Sequence, residues 1–192
     1  MMSPWTLPES VEIEGRIYEI RSDYRAIIDI LIALDDKELD ETEKAQVVLG
    51  IFYKNPENIP PAHAQEAVES ALQFIDFMNT GEEEKAPVRL MDWKKDAGII
   101  IPAINKVAGR EIRTVEYMHW WTFMGMYMEI GDSLFSEVLS IRQKKQKKKK
   151  LEKWESEFYR KNKAMIDLEV RKETRNKDEQ DALRSLLGLG KR

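Results

Sequence analysis

The sequence predicts an all-α fold, namely a single helical domain with a small N-terminal β-hairpin, a long C-terminal helix and a flexible tail. Apolar residues recur at helical spacing over most of the chain, whereas strand-forming residues cluster only near the N-terminus. Near the C-terminus, a polar stretch precedes the last leucines. These patterns predict a helical body over 1–145 with the hairpin at 11–20, a long heptad-bearing helix over 146–172, and a polar linker with a leucine-rich tail over 173–192.

The composition is that of a soluble globular protein. The 192 residues carry a net charge of −4, with 34% charged and 42% hydrophobic residues, which suits a domain that buries a core. Cysteine is absent, which excludes disulfides and thiolate metal sites and suits a reducing cytoplasm. The N-terminus lacks the pattern of a signal peptide, and no apolar run reaches the ~20 residues that span a bilayer. We therefore expect no membrane association.

Strand signals are confined to residues 11–20, where β-branched and aromatic residues flank the pair Glu14 and Gly15. Glycine readily adopts the positive φ of a tight turn, so this pair predicts a hairpin. A helix should follow, with Ser22 as its N-cap and Asp23 in its first turn.

The next two helices have clear start signals. Asp40 and Glu43 have the spacing of a capping box at the start of the second helix. Pro60 or Pro61 should begin the third helix, since proline is favoured in a first turn. The predicted apolar stripe of the third helix consists of Ala64, Ala67, Val68, Ala71, Leu72, Ile75 and Met78.

The fourth helix should begin at Asp92. It contains Gly98 and Pro102, and an interior proline removes a backbone donor and clashes with the preceding turn. We therefore predict a kink or a break there.

The stretch YMHWWTFMGMYMEIGDS, residues 117–133, is the most aromatic and methionine-rich part of the chain. With Thr114 as the N-cap, a helix over 114–130 would be apolar on nearly every side, which is typical of a helix surrounded by protein. Trp120 and Trp121 point about a quarter-turn apart, so we do not expect both to be fully buried. An adaptable interface is the alternative to a core.

A sixth helix should run into the lysine-rich segment and be followed by the long helix. The apolar positions of the sixth helix are Leu134, Phe135, Val138 and Ile141. Heptad spacing in the long helix predicts one packed seam. The seam residues are Leu151, Trp154, Phe158, Met165 and Leu168.

The lysine-rich segment, residues 142–153, has eight basic residues and one acidic residue, so it carries +7 while the rest of the chain carries −11. Such a segment could bind nucleic acid or anionic lipid through phosphate contacts. It lacks interleaved aromatic residues, and a run between two helices is more typical of a solvated connector or a contact with an acidic partner. The nucleic-acid alternative would use Lys144, Lys145, Lys147, Lys148, Lys149 and Lys150.

No residue pattern indicates an enzyme, a metal or a cofactor. The two histidines, His63 and His119, fall in no metal-binding motif, although Glu116 lies one turn before His119. Ser133 and Ser136 are not in a nucleophile elbow, and no glycine-rich phosphate loop is present. We therefore expect a non-enzymatic protein with no cofactor and no metal.

Four segments carry a family resemblance: LPESVEIEGRIYEIRSDYR, LMDWKKDAGIIIPAINKVAGREIR, YMHWWTFMGMYMEIGDSLFSEVLSIRQKK and KLEKWESEFYRKNK. In this order they resemble the bacteriophage gene-product-fifteen family over about residues 7–165. The resemblance implies a protein encoded in the tail module of long-tailed phages of Gram-positive bacteria, beside the tape-measure gene. It implies a tail assembly chaperone or a partner of one, without catalytic residues.

The resemblance implies the tape-measure protein and the tail tube protein as partners, self-association as an option, action in the host bacterial cytoplasm and absence from the mature virion. The candidate partner-binding surfaces lie on the long helix and in the tail, although both could pack on the protein's own body. A nucleic-acid-binding phage accessory protein acting through the lysines, and a minor structural tail component, are the alternatives. The candidate contact residues are Trp154, Phe158, Met165, Leu168, Leu183, Leu186, Leu187 and Leu189.

Overall fold

The computed structural model describes residues 5–76 and 89–168. This part of the chain forms a two-stranded antiparallel hairpin followed by eight α-helices, which confirms the predicted all-α class and its small N-terminal hairpin. No helix within it is long and apolar enough to cross a membrane. The elements are β1 (Ser10–Ile13), β2 (Arg16–Glu19), α1 (Tyr24–Asp35), α2 (Glu41–Phe52), α3 (Ala64–Ile75), α4 (Ala97–Ala108), α5 (Trp120–Met128), α6 (Leu134–Gln146), α7 (Lys153–Lys161) and α8 (Lys163–Ile166).

The predicted hairpin is confirmed. Glu14 and Gly15 connect β1 to β2 with φ values of 48° and 74°, so both turn residues have the positive φ that suits the twist of a two-residue hairpin. Val11 and Ile13 are buried, and β1 packs on α3. Ile17 on β2 is 75% exposed, so the hairpin has one face in the core and one in solvent.

The start of α1 differs from the prediction, whereas the start of α2 confirms it. Asp23, not Ser22, is the N-cap of α1. The Ser22 hydroxyl instead shares a hydrogen bond of 2.7 Å with the hydroxyl of Tyr117. Asp40 and Glu43 form the predicted capping box, with both hydrogen bonds at 2.8 Å.

The third helix begins with a 3-10 turn, Pro61–His63, that leads into α3. Leu72, expected in its apolar stripe, is 39% exposed, and Phe74 is buried instead. Phe74 turns inward because it stacks on Trp121 and meets Phe52 edge to face. Met78, also expected in the stripe, lies outside the described residues.

The fourth helix begins at Ala97 rather than at Asp92. Of the predicted kink or break at Pro102, the break is wrong, because α4 continues through this residue. Asp92 and Asp96 form a separate turn, in which the Asp96 backbone N–H donates to the Asp92 carbonyl at 2.8 Å. Pro102 lies in the middle of a twelve-residue helix and costs it one backbone hydrogen bond. The helix ends at Gly109, which has a φ of 65° and so stops it in the usual way.

The helix predicted over 114–130 is shorter, because its first residues are extended. His119 and Asp23 form an antiparallel bridge. On either side of it, the Tyr24 N–H donates to the Met118 carbonyl at 2.9 Å and the Trp120 N–H donates to the Ser22 carbonyl at 2.7 Å. This pairing with the start of α1 delays α5 to Trp120.

The inward-facing residues of the aromatic stretch lie in the core, as predicted, whereas Tyr117 and Met128 are about half exposed. Met118, Trp120 and Phe123 are 4%, 1% and 1% exposed, whereas Trp121 is partly exposed. Phe123 also stacks on Tyr24, with ring centroids 4.7 Å apart. The expectation that the two adjacent tryptophans are not both fully buried is therefore confirmed.

The long helix predicted over 146–172 is instead two shorter helices in the described residues. α6 continues to Gln146, residues 147–152 form a connection, and α7 and α8 meet at Asn162. Lys148 has a φ of 52°, which ends α6 in a left-handed conformation. A helix there would also place lysines one turn apart, where like charges repel. Residues 169–172 lie outside the described part of the chain.

Candidate partner-binding site

Arg142 on α6 links the C-terminal helix α8 to the segment that precedes α4. Its guanidinium makes a two-pronged ion pair with Asp96, at 2.6 and 2.8 Å. Its other donors reach the carbonyls of Ile166 at 2.7 Å, Leu90 at 2.9 Å and Met165 at 2.9 Å. The side chains of Arg142 and Asp96 are 5% and 1% exposed, so this cluster is a buried polar network with all five arginine donors bonded.

The first two lysines of the run belong to the same packing. Lys144 pairs with Glu155 at 2.6 Å, and Glu155 is 2% exposed. The hydrogen bond from Lys144 holds the pKa of the Glu155 carboxyl below its usual value. Lys145 pairs with Asp167 and lies over the ring of Tyr159, 3.7 Å from its centroid. These two lysines therefore tie α6 to α7 and α8.

The remaining lysines, 147–150, are all exposed and form the connection between α6 and α7. They present four positive charges on one short loop. The structure thus divides the six predicted lysines into two structural residues and four that face solvent.

Of the four contact residues predicted on the long helix, three are partly covered by the protein itself. Phe158 and Met165 are partly buried and pack with α6 on a small second core made by Val138, Ile141 and Ile166. Leu168 is also partly buried. The seam therefore packs within this chain rather than lying free for a partner.

Trp154 is the exception, since it is 54% exposed on α7. Its neighbour Lys153, and Glu157 one turn later, line an open groove of about 680 Å³. We call Trp154 and this groove the α7 surface. The groove is lined by Lys150, Leu151, Glu152, Lys153, Ser156, Glu157 and Arg160.

A second, smaller crevice of about 210 Å³ lies between β2 and the turn after α2. Tyr18 lines it, and its buried hydroxyl has no hydrogen-bond partner among the described residues. Tyr53, on the same crevice, donates its hydroxyl to the Ala67 carbonyl at 2.7 Å, and burial raises the pKa of Tyr53. Glu19 is the one charged residue among those that line this crevice.

His119, Ser133 and Ser136, which were considered for metal binding or catalysis, have structural roles. His119 Nδ1 accepts the Trp121 backbone N–H at 3.0 Å, which makes His119 the N-cap of α5. Its Nε2 must then carry the proton and donate to the Pro8 carbonyl at 3.0 Å. Ser133 and Ser136 form the capping box of α6. Within the described ranges, no three histidine or acidic residues are grouped to hold a metal.

Sequence reasoning missed the residues that hold the α7 surface in place. Arg142 follows Val138 by four positions and so falls on the apolar stripe of α6, which is an unusual place for an arginine and a signal of a buried partner. Ile166, 0% exposed, lies one position beyond the predicted Met165. The predicted tail contacts, Leu183, Leu186, Leu187 and Leu189, lie outside the described residues.

A family model described as "Bacteriophage Gp15 protein" matches residues 5–168. The matched region contains every element described above, including the buried arginine and the α7 surface. No curated protein and no solved structure matches the chain.

Proposed function

Because the chain belongs to the bacteriophage Gp15 protein family, we propose that it is a non-enzymatic tail assembly chaperone that binds the tape-measure protein and promotes assembly of the tail tube. Membership in this family suggests a phage structural or assembly-related protein. The chaperone role, the partners and the site are our proposal.

The observation that carries the proposal is the exposed Trp154 beside the α7 groove. Tryptophan is enriched among the residues that dominate binding energy, because its large ring buries much apolar area at little entropic cost. Charged residues of both signs line the groove beside Trp154, and polar surroundings are usual next to an apolar contact. Such a surface suits the apolar face of an amphipathic helix.

The family resemblance implies a tape-measure protein as the partner. Such a protein is long, helical and hydrophobic. Its apolar faces need cover until tube subunits enclose them. The present chain is acidic overall, with a net charge of −4, and net charge of one sign keeps a complex soluble. We further propose that it acts in the host bacterial cytoplasm, contacts the tail tube protein and is absent from the mature virion.

Co-expression with the neighbouring tape-measure product tests the proposal. We expect the two proteins to purify together and Trp154→Ala to weaken capture by at least tenfold, since interface tryptophans often contribute about 2 kcal/mol or more. Trp5→Ala is the matched control, because Trp5 is 93% exposed at the opposite end of the described chain. Failure to co-purify, or equal loss in both variants, would contradict a chaperone acting through the α7 surface.

Four exposed lysines favour one alternative, a nucleic-acid-binding accessory protein. Lysine contacts to phosphate give affinity that falls steeply with salt and does not depend on base sequence. DNA binding that falls steeply with salt and is lost when residues 147–150 are replaced by glutamine would support that alternative. Detection of the protein in purified virions would instead favour a minor structural tail component.

A further inference from the structure

The α7 surface combines apolar and basic groups that face solvent together. Trp154 is 54% exposed, Leu151 is partly exposed in the groove, and the lysines at 147–150 are all exposed beside it. Covering the exposed indole of Trp154 and the side chain of Leu151 would remove apolar area from water, which is favourable. We propose that segment 178–189 of the same chain covers the α7 surface until a partner replaces it.

The described chain ends next to this surface. The Tyr159 hydroxyl donates to the Asp167 carboxylate at 2.9 Å, and Lys95 Nζ donates to the Asp167 backbone carbonyl at 2.6 Å. The residues after Leu168 therefore start about five helix positions from Trp154, roughly 8 Å along α7. Residues 169–177 can extend over roughly 30 Å, so segment 178–189 reaches the groove without strain.

The chemistry of the segment complements that of the surface. Three carboxylates precede leucines that are spaced three and four positions apart, as on one face of a helix. In the docked arrangement the leucines cover Trp154 and Leu151, and the carboxylates face the lysines at 147–150. The segment residues concerned are Asp178, Glu179, Asp181, Leu183, Leu186 and Leu187.

This inference rests on the proposed function only where it names a tape-measure helix as the competitor. Occupancy of the groove by the chain's own segment requires no partner. It can therefore be tested on the isolated full-length protein, and its failure would not affect the co-purification experiment.

Hydrogen–deuterium exchange of the full-length protein tests the inference. We compare the wild type with the full-length variant Leu183→Ser, Leu186→Ser, Leu187→Ser at two protein concentrations. In the wild type, amides of residues 150–161 should exchange several-fold more slowly than in the variant, at both concentrations, because docking protects α7. Lys147–Lys150 replaced by glutamine should give a smaller loss of protection.

Leu72→Ser is the matched control, since Leu72 is an exposed leucine on α3 and its loss should not change α7. Equal exchange in the wild type and the triple variant would overturn the inference. If the protection of residues 150–161 increases with protein concentration, the covering segment belongs to a second copy, and the inference is overturned. Faster exchange throughout the triple variant would also overturn it, because the leucines would then be part of the core.

Discussion

Trp120 and Trp121, which are adjacent in the sequence, donate their indole N–H groups to two adjacent carbonyls at the end of α3. Trp120 Nε1 lies 2.9 Å from the Ile75 carbonyl oxygen, and Trp121 Nε1 lies 3.0 Å from that of Phe74. The last carbonyls of a helix have no partner within it, so the two indoles complete the end of α3 from a distant part of the chain. This pairing explains why both positions are tryptophan although only Trp120 is fully buried.

Trp120→Ala should lower the free energy of unfolding by about 3–5 kcal/mol, the usual range for deleting a buried large aromatic residue. Trp121→Ala should cost less, because Trp121 is partly exposed. Urea unfolding measures both values. Trp5→Ala is the control and should change stability by less than about 0.5 kcal/mol; similar losses for Trp5 and Trp120 would contradict the assignment of Trp120 to the core.

Arg142→Ala should lower the free energy of unfolding by about 3–5 kcal/mol, because it leaves the Asp96 carboxylate buried without its partner. The double variant Asp96→Ala, Arg142→Ala should cost less than the sum of the two single variants. Denaturant titration of all three variants completes the cycle. Arg113→Ala is the matched control, since Arg113 pairs with Glu111 but is 64% exposed.

The stability of the protein should fall as the pH drops below about 6.5. Burial lowers the pKa of His119 below its ordinary value of 6.5, so the unfolded chain takes up a proton before the folded one does. The stabilising contribution is complete above pH 6.5 and decreases toward the lower pKa of the folded state. Protonation of Nδ1 also removes the acceptor for the Trp121 N–H.

His119→Asn keeps an N-cap acceptor and does not titrate. Thermal unfolding between pH 7.5 and 5 should therefore be less pH-dependent in this variant than in the wild type. An identical pH dependence in the two proteins would contradict the assignment to His119.

Two parts of the lysine run should respond differently to the same substitution. Replacing residues 147–150 by glutamine should leave stability and tape-measure capture largely unchanged and should abolish any DNA binding, because these side chains are exposed. Lys144→Gln should destabilise the protein by about 1–3 kcal/mol, since it removes the charged partner of the buried Glu155. Thermal unfolding and salt-dependent DNA titration measure the two effects; equal destabilisation by both changes would contradict the division of the run.

Local signals predicted the elements well where neighbouring residues decide the structure. The turn at Glu14 and Gly15 and the capping box of Asp40 and Glu43 depend on contacts within a few positions, and both are confirmed. The family resemblance is confirmed as well. The turn and the capping box can be predicted from one sequence because neighbouring residues determine them.

Distant contacts explain what could not be predicted. The delayed start of α5 depends on pairing between His119 and Asp23, 96 positions apart in the chain. The division of the expected long helix depends on Lys144 and Arg142 binding groups of α7 and α8. Trp154 and Phe158 were both predicted as contacts. That Trp154 is exposed and Phe158 partly buried follows only from the packing of α7 on α6.

The bonds of Arg142 also set an order of events during synthesis. The ribosome makes Asp96 and Arg142 before Met165 and Ile166, whose carbonyls complete the arginine's hydrogen bonds. A nascent chain that ends before Met165 therefore lacks two acceptors for a charge that the finished domain buries. The domain reaches its final packing only after residue 166 has left the ribosome, so premature termination upstream of that residue yields a chain that exposes the hydrophobic face of α6.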